Sequence, residues 1–303
     1  MTKKTVWVFP GQGSQAIGMG ADLAAVAKDK FSQADDILGW SILDLCQSDD
    51  AQLGKTLYTQ PCLYVVECIL ADLLKSRGLQ PDVVAGHSLG EYSALYTAGV
   101  FDFIAGLRLV KRRAELMSQA EDGAMAALMG FDRDELDAKL AAMEGVVLAN
   151  DNNPGQVVIS GTPDAVEAVM AGIKTKRAVK LNVSGAFHSP LMSPAAREFD
   201  QILSGVPFKT ATVPVMSNVD PELSVDGEVL KQRLMGQMTG TVRWREISLA
   251  LPEQAVEAVV EVGPGKVLTG LIKRTCRSLR LNNVGTLEQA EAVTSSLLAQ
   301  PTV

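Results

Sequence analysis

Ser88 lies in Gly86-His87-Ser88-Leu89-Gly90, a Gly-x-Ser-x-Gly pentapeptide. Between a strand and a helix, that pattern puts a serine on a sharp turn with its hydroxyl free to attack an acyl group. Alone it is a weak signal in a chain with 26 glycines, since a structural Gly-Ser turn reads the same. A nucleophilic serine also needs a base within hydrogen-bond reach. The chain has two histidines, His87 and His188. His87 is the peptide neighbour of Ser88, and adjacent side chains at a tight turn diverge. That leaves His188, in Gly185-Ala186-Phe187-His188-Ser189. The oxyanion formed on attack needs preorganised donors. The N–H of Leu89 is one by the geometry of such a turn. Gly11-Gln12-Gly13-Ser14-Gln15 is a second source, although a plain glycine-rich turn would look alike.

A third residue bears on what is attacked. Residues 102–119 read as a helix, with Arg108, Lys111, Arg112, Glu115 and Gln119 on a polar face and Leu107, Val110, Ala114 and Met117 on an apolar stripe. Arg113 is off the polar face, beside the stripe. A buried arginine needs a partner. A substrate carboxylate suits its two-bond fork, and so does an internal Asp or Glu. Gly263-Pro264-Gly265-Lys266 is not a phosphate loop, because Val267 stands where Ser or Thr is required.

These residues must be held by a scaffold. Thr5–Phe9 and Asp82–Ala85 read as short buried strands, the second running straight into the serine turn and a helix over Glu91–Ala98. Helices are expected over 21–38 and 60–77 as well. Strand, turn and helix in repetition is the grammar of a parallel sheet covered by helices. Residues 124–183 change style to strand, helix, strand, strand, helix, strand, the ferredoxin-like order. The expected fold is therefore α/β: a large domain over 1–123 and 184–303, interrupted by a small subdomain over 124–183. The grammar resumes with strands at 213–216 and 255–262 and helices at 228–238 and 266–275.

Composition narrows the function. The chain has 303 residues, a net charge of -7 and 47% hydrophobic residues. An acidic chain argues against broad contact with nucleic acid. No stretch long enough to span a bilayer is read, so no membrane is expected. None of the four cysteines forms a C-x-x-C pair, so no metal or redox site is signalled and reduced thiols in the cytoplasm are expected.

Taken together, Phe9-Pro10-Gly11-Gln12-Gly13-Ser14-Gln15, Gln60-Pro61, residues 86–93, Arg113, residues 152–161, 185–192 and 262–270 resemble the bacterial malonyl-CoA:acyl carrier protein transacylases. The resemblance covers about residues 5–287. It implies an α/β-hydrolase-like domain with an inserted ferredoxin-like (βαββαβ) subdomain. It also implies acylation of Ser88, base action by His188 and a malonyl carboxylate on Arg113. The N–H groups of Gln12 and Leu89 would form the oxyanion hole, and the Gln237 carbonyl would orient His188. Gln60, Asn152 and Phe187 would line the site, with Phe187 crowding a 2-methyl branch. No cofactor is implied, since malonyl-CoA is a substrate. The acceptor would be an acyl carrier protein of fatty-acid synthesis, and the enzyme a monomer.

Three other functions compete. A discrete polyketide-synthase acyltransferase is one, because the sequence does not say whether the acceptor carrier serves fatty acids or polyketides. A serine esterase or thioesterase would use Ser88 and His188 in the order serine, acid, histidine. The acids between them are read as lying on the Arg113 helix or in the insertion, which speaks against it. A non-catalytic carrier-binding protein would leave the serine, histidine and arginine unexplained. Two basic clusters could meet an acidic carrier, Lys174, Lys176, Arg177 and Lys180 or Lys273, Arg274 and Arg277; solvated surface charge accounts for either equally well.

Overall fold

The structure is a computed structural model that describes residues 4–183 and 185–299. Strand β1 (Lys4–Phe9) is followed by a 3-10 turn at Ala21–Leu23 and by helices α1 (Lys28–Leu38), α2 (Ile42–Cys46), α3 (Asp50–Leu53) and α4 (Thr56–Ser76). Strand β2 (Val83–Gly86) leads into α5 (Gly90–Thr97), then α6 (Phe103–Ser118). A small unit follows: β3 (Ala124–Phe131), α7 (Arg133–Ala141), β4 (Val146–Asn153), β5 (Gln156–Gly161), α8 (Pro163–Gly172) and β6 (Thr175–Lys180). The chain continues through α9 (Ser193–Ser204), β7 (Val215–Met216), α10 (Gly227–Gln237), α11 (Trp244–Glu253), β8 (Val256–Val262), α12 (Val267–Thr275), β9 (Arg280–Val284) and α13 (Leu287–Leu298).

The large sheet runs β7-β2-β1-β8-β9, and every pairing in it is parallel. Its central strands are buried on both faces, so their sequences read as near-continuous apolar runs. Alternate residues serve opposite faces. Trp7 and Phe9 pack with Leu63, Leu95 and Val110 of α4, α5 and α6, whereas Val6 and Val8 pack with Trp244, Ile247 and Leu271 of α11 and α12.

The small sheet is antiparallel in the order β4-β5-β3-β6. Ala126, Leu128, Val157 and Ile159 bury one face against Leu136, Val166 and Val169 of α7 and α8. Met125, Ala127 and Val158, pointing the other way, join the core of the large sheet. The fold is thus a mixed α/β one with a parallel and a small antiparallel sheet, as expected. The expected boundary at Ser184 lies outside the described residues.

Two expectations need correcting. Residues 21–38 are not one helix. Ala24, Ala25 and Ala27 carry no packing signal that separates turn from helix, and Val26 among them is 56% exposed. Helix α4 is long and apolar enough to cross a membrane by length and composition, against the reading that no stretch is. It is nonetheless a core helix, with 78% of that stretch buried inside the fold.

Candidate active site

The serine turn joins β2 to α5, and Ser88 has φ +53, a conformation that non-glycine residues adopt only when their surroundings impose it. The surroundings are visible. A Cβ on Gly86 would lie 1.9 Å from the Gly90 backbone, and one on Gly90 would lie 1.9 Å from the Phe9 carbonyl oxygen. Only glycine permits either approach. Asn218, just past β7, staples the turn: its Oδ1 accepts the Ser88 N–H at 2.7 Å, and its Nδ2 donates to the Gly86 carbonyl.

His188 approaches from the chain that returns after the small sheet. Its Nε2 is 2.8 Å from Ser88 Oγ, and its Nδ1 is 2.9 Å from the carbonyl oxygen of Gln237 at the end of α10. A carbonyl only accepts, so Nδ1 carries the proton and Nε2 is free to take one from Ser88. Burial, then the neighbouring charge of Arg113, pushes the His188 pKa from 6.5 down to about 3. A lowered pKa keeps the base neutral as pH falls through the usual histidine range. The acid limb of kcat/KM for acyl loading, which reports the free enzyme, should therefore lie well below the ordinary histidine range. Rapid-quench loading across the acid range checks this; an inflection near pH 6.5 would contradict it.

Arg113 is 1% exposed, on the face of α6 turned to the site. Its Nη1 donates to Gln60 Oε1 at 2.7 Å, and its Nη2 is 3.0 Å from both Ser88 Oγ and Gln237 Oε1. The Tyr92 ring lies 5.4 Å from the guanidinium carbon. Among the described residues, every acceptor in contact is neutral. No described Asp or Glu makes an ion pair with Arg113, so the fork has room for a carboxylate from outside.

Ser88, His188 and Arg113 open onto a cavity of about 110 Å³ that Gln12, Gln60, Leu89 and Phe187 also line. A Cβ on Gly11 would sit 2.5 Å from the His87 carbonyl oxygen and 3.7 Å from the Leu89 nitrogen, so the Gln12 loop runs beside the Leu89 N–H. Asn152 does not line this cavity; Asn150 does, while Asn152 Oδ1 is 2.9 Å from His87 Nε2. A shift of register in β4 between Leu148 and Asn150, with a second between Asp151 and Asn153, upsets the alternation from which a sequence reading would tell these asparagines apart.

Glu91 corrects the reading that the acids after Ser88 lie on the Arg113 helix or in the insertion. It sits in the first turn of α5, wholly buried. Its Oε2 accepts from Gln237 Nε2 at 2.7 Å and from the Asn218 N–H at 3.2 Å. It does not hydrogen-bond His188, whose Nδ1 is on the Gln237 carbonyl. The order serine, acid, histidine therefore exists in sequence without forming a triad in space.

The chain matches the family described as "Acyl transferase domain" over residues 6–298. It belongs to that family. Among its acyltransferase relatives, the malonyl CoA-acyl carrier protein transacylase of Synechocystis sp. is 59% identical over 96% of this chain and all of that one. The crystal structure of that enzyme superposes with a TM-score of 0.94, covering 95% of this chain and 99% of its own. The polyketide biosynthesis malonyl CoA-acyl carrier protein transacylase BaeC of Bacillus velezensis is 45% identical over 88% and 95% of the two chains. A malonyl-transacylase solved in complex with its type II PKS acyl-carrier protein matches at 38% identity with a TM-score of 0.91, covering 97% of this chain and 100% of that one.

Proposed function

We propose that this acyltransferase moves a malonyl group from malonyl-CoA to the phosphopantetheine thiol of an acyl carrier protein through a malonyl-serine. The observation that carries the reading is Arg113 Nη2 at 3.0 Å from Ser88 Oγ, with only neutral acceptors on the guanidinium among the described residues. A cation touching the nucleophile suits an acyl group that ends in a carboxylate, and an esterase for apolar acids has no use for it.

The proposed steps use the residues of the site. Ser88 Oγ attacks the thioester carbonyl while His188 Nε2 takes its proton. The Gln12 and Leu89 N–H groups hold the oxyanion. His188 returns the proton to the departing CoA sulfur, leaving malonyl-serine. The carrier's thiol then gives its proton to His188 and attacks the ester, and His188 reprotonates Ser88. No cofactor enters. One chain supplies every residue, so a monomer suffices. The four cysteines are free and buried, which supports a cytoplasmic setting. Fatty-acid synthesis is the favoured destination, in line with the 59% identical relative.

The two basic clusters adjoin. Arg274 Nη1 reaches Gln156 Oε1 at 3.3 Å, and Gln156, Met129 and Arg177 are successive cross-strand neighbours on β5, β3 and β6. One acidic carrier could meet both. The test is intact-protein mass. The protein should gain a malonyl group from malonyl-CoA and lose it when acyl carrier protein is added, with malonyl appearing on the carrier. Reversing the charges of Arg177 and Arg274 together should raise the carrier's KM and leave loading from CoA intact. Discharge to water at the same rate without carrier would make the protein a thioesterase instead.

A further inference from the structure

Among the described residues, no carboxylate is in contact with Arg113, a buried cation. Its Nε makes no close hydrogen bond among the described residues, its terminal nitrogens meet two amide oxygens and the Ser88 hydroxyl, and the Tyr92 side chain beside it is a neutral phenol. Leaving such a charge uncompensated is costly, so a negative charge is needed nearby.

Glu91 has the right place. Gln237 Nε2 and the Asn218 N–H both donate to its Oε2, and donors favour the ionised carboxylate. The Gln237 amide is clamped at both ends. Its Nε2 faces Glu91 and the Ser88 carbonyl, and its Oε1 faces Arg113. The two charges also act on each other. Burial raises the Glu91 pKa, and the hydrogen bonds from Gln237, Ser217 and Asn218, then the charge of Arg113, oppose that rise; burial lowers the Arg113 pKa, and Tyr92, then Glu91, oppose that fall.

We propose that Glu91 is the counter-charge of Arg113, held one amide away by Gln237, so that the arginine is neutralised in the free enzyme while its fork stays open to the substrate's carboxylate. A carboxylate in direct contact would fill the fork, and the malonyl group would have to displace it. With no counter-charge, the site would bind malonyl-CoA too tightly, lowering KM without helping the chemistry. Glu91 is thus a positioning and tuning residue that touches no reacting atom.

The proposal rests on the malonyl reading of Arg113. Glu91→Gln is the test. A glutamine carbonyl can replace Oε2, and its NH2 can take the place of the unpartnered Oε1. The hydrogen bonds from Gln237 and Asn218 then remain, the Ser217 hydroxyl beside the carboxylate can turn to accept from the new NH2, and the charge leaves. KM for malonyl-CoA should fall by about tenfold, KM for acetyl-CoA should hold, and free malonate should raise Tm more in the variant than in the parent. Glu91→Asp keeps the charge and should keep the parent's ratio of the two KM values. A rise in KM for both thioesters, or no change in either, overturns the proposal. Should Glu91→Gln fail to fold, removing Arg113 as well should restore folding, because the two charges go together; absence of rescue also overturns it. Arg113→Ala separates the two ideas. Equal loss for malonyl and acetyl sinks the malonyl reading itself. A selective loss, with Glu91→Gln leaving KM unchanged, sinks only the counter-charge.

Discussion

Ser88→Ala takes up no malonyl group when mixed with malonyl-CoA, and transfer to the carrier falls by at least about four orders of magnitude. The size follows from chemistry: with Oγ gone there is no atom for the acyl group to bond. The residual rate is whatever the oxyanion donors and the bound arm supply to direct attack by the carrier's thiol. Folding should survive. Alanine keeps the Cβ, so the turn's positive φ is no more strained than before, and among the described residues Oγ bonds only His188 and Arg113. The intact mass after mixing is the measurement, with Tm as the control for folding. An adduct of malonyl mass on the folded alanine variant would place the nucleophile elsewhere.

How much of this was legible depended on how local the cause is. The nucleophile could be read because its determinants are consecutive: two glycines, a preceding strand and a following helix. His188 came from elimination, which worked only because the chain has two histidines. Arg113 stood out because one helix period places a charge on an apolar side. Gln237 came through family resemblance alone, since what it offers His188 is a backbone carbonyl that any residue possesses. Its side chain, which ties Ser88, Arg113 and Glu91 together, was not read. Asn218 was missed for the same reason: it lies 130 residues from the serine whose N–H it holds. Among elements, α2, α3, α9, α11, α13 and β9 went unread. For α9 the period was present in Ala196, Phe199 and Leu203. For β9, Arg-Leu-Asn-Asn-Val at a sheet edge, neither alternation nor an apolar run exists to be read.

Arg113→Ala should lower malonyl transfer by a factor on the order of a hundred or more while acetyl transfer holds or rises. The guanidinium touches Ser88 Oγ, so the carboxylate of a malonyl group on that oxygen is within its reach, whereas an acetyl group leaves the cation unmatched. Removing one partner of a desolvated charge pair costs roughly 2–5 kcal/mol, which sets the expected factor. Part of any loss is not selective. Without Arg113, the amide oxygens of Gln60 and Gln237 lose a donor, and the Gln237 backbone that orients His188 loses a support. That part falls on both thioesters alike, so the quantity to measure is the ratio of kcat/KM for malonyl-CoA to that for acetyl-CoA. Arg113→Lys should recover only part of the ratio. A single ammonium cannot present two parallel N–H groups to a carboxylate while also serving Gln60 and Gln237. If both variants lower the two thioesters equally, Arg113 holds the site together and does not read the substrate, and the selectivity for a diacid would have to reside in the walls formed by Phe187 and Met117.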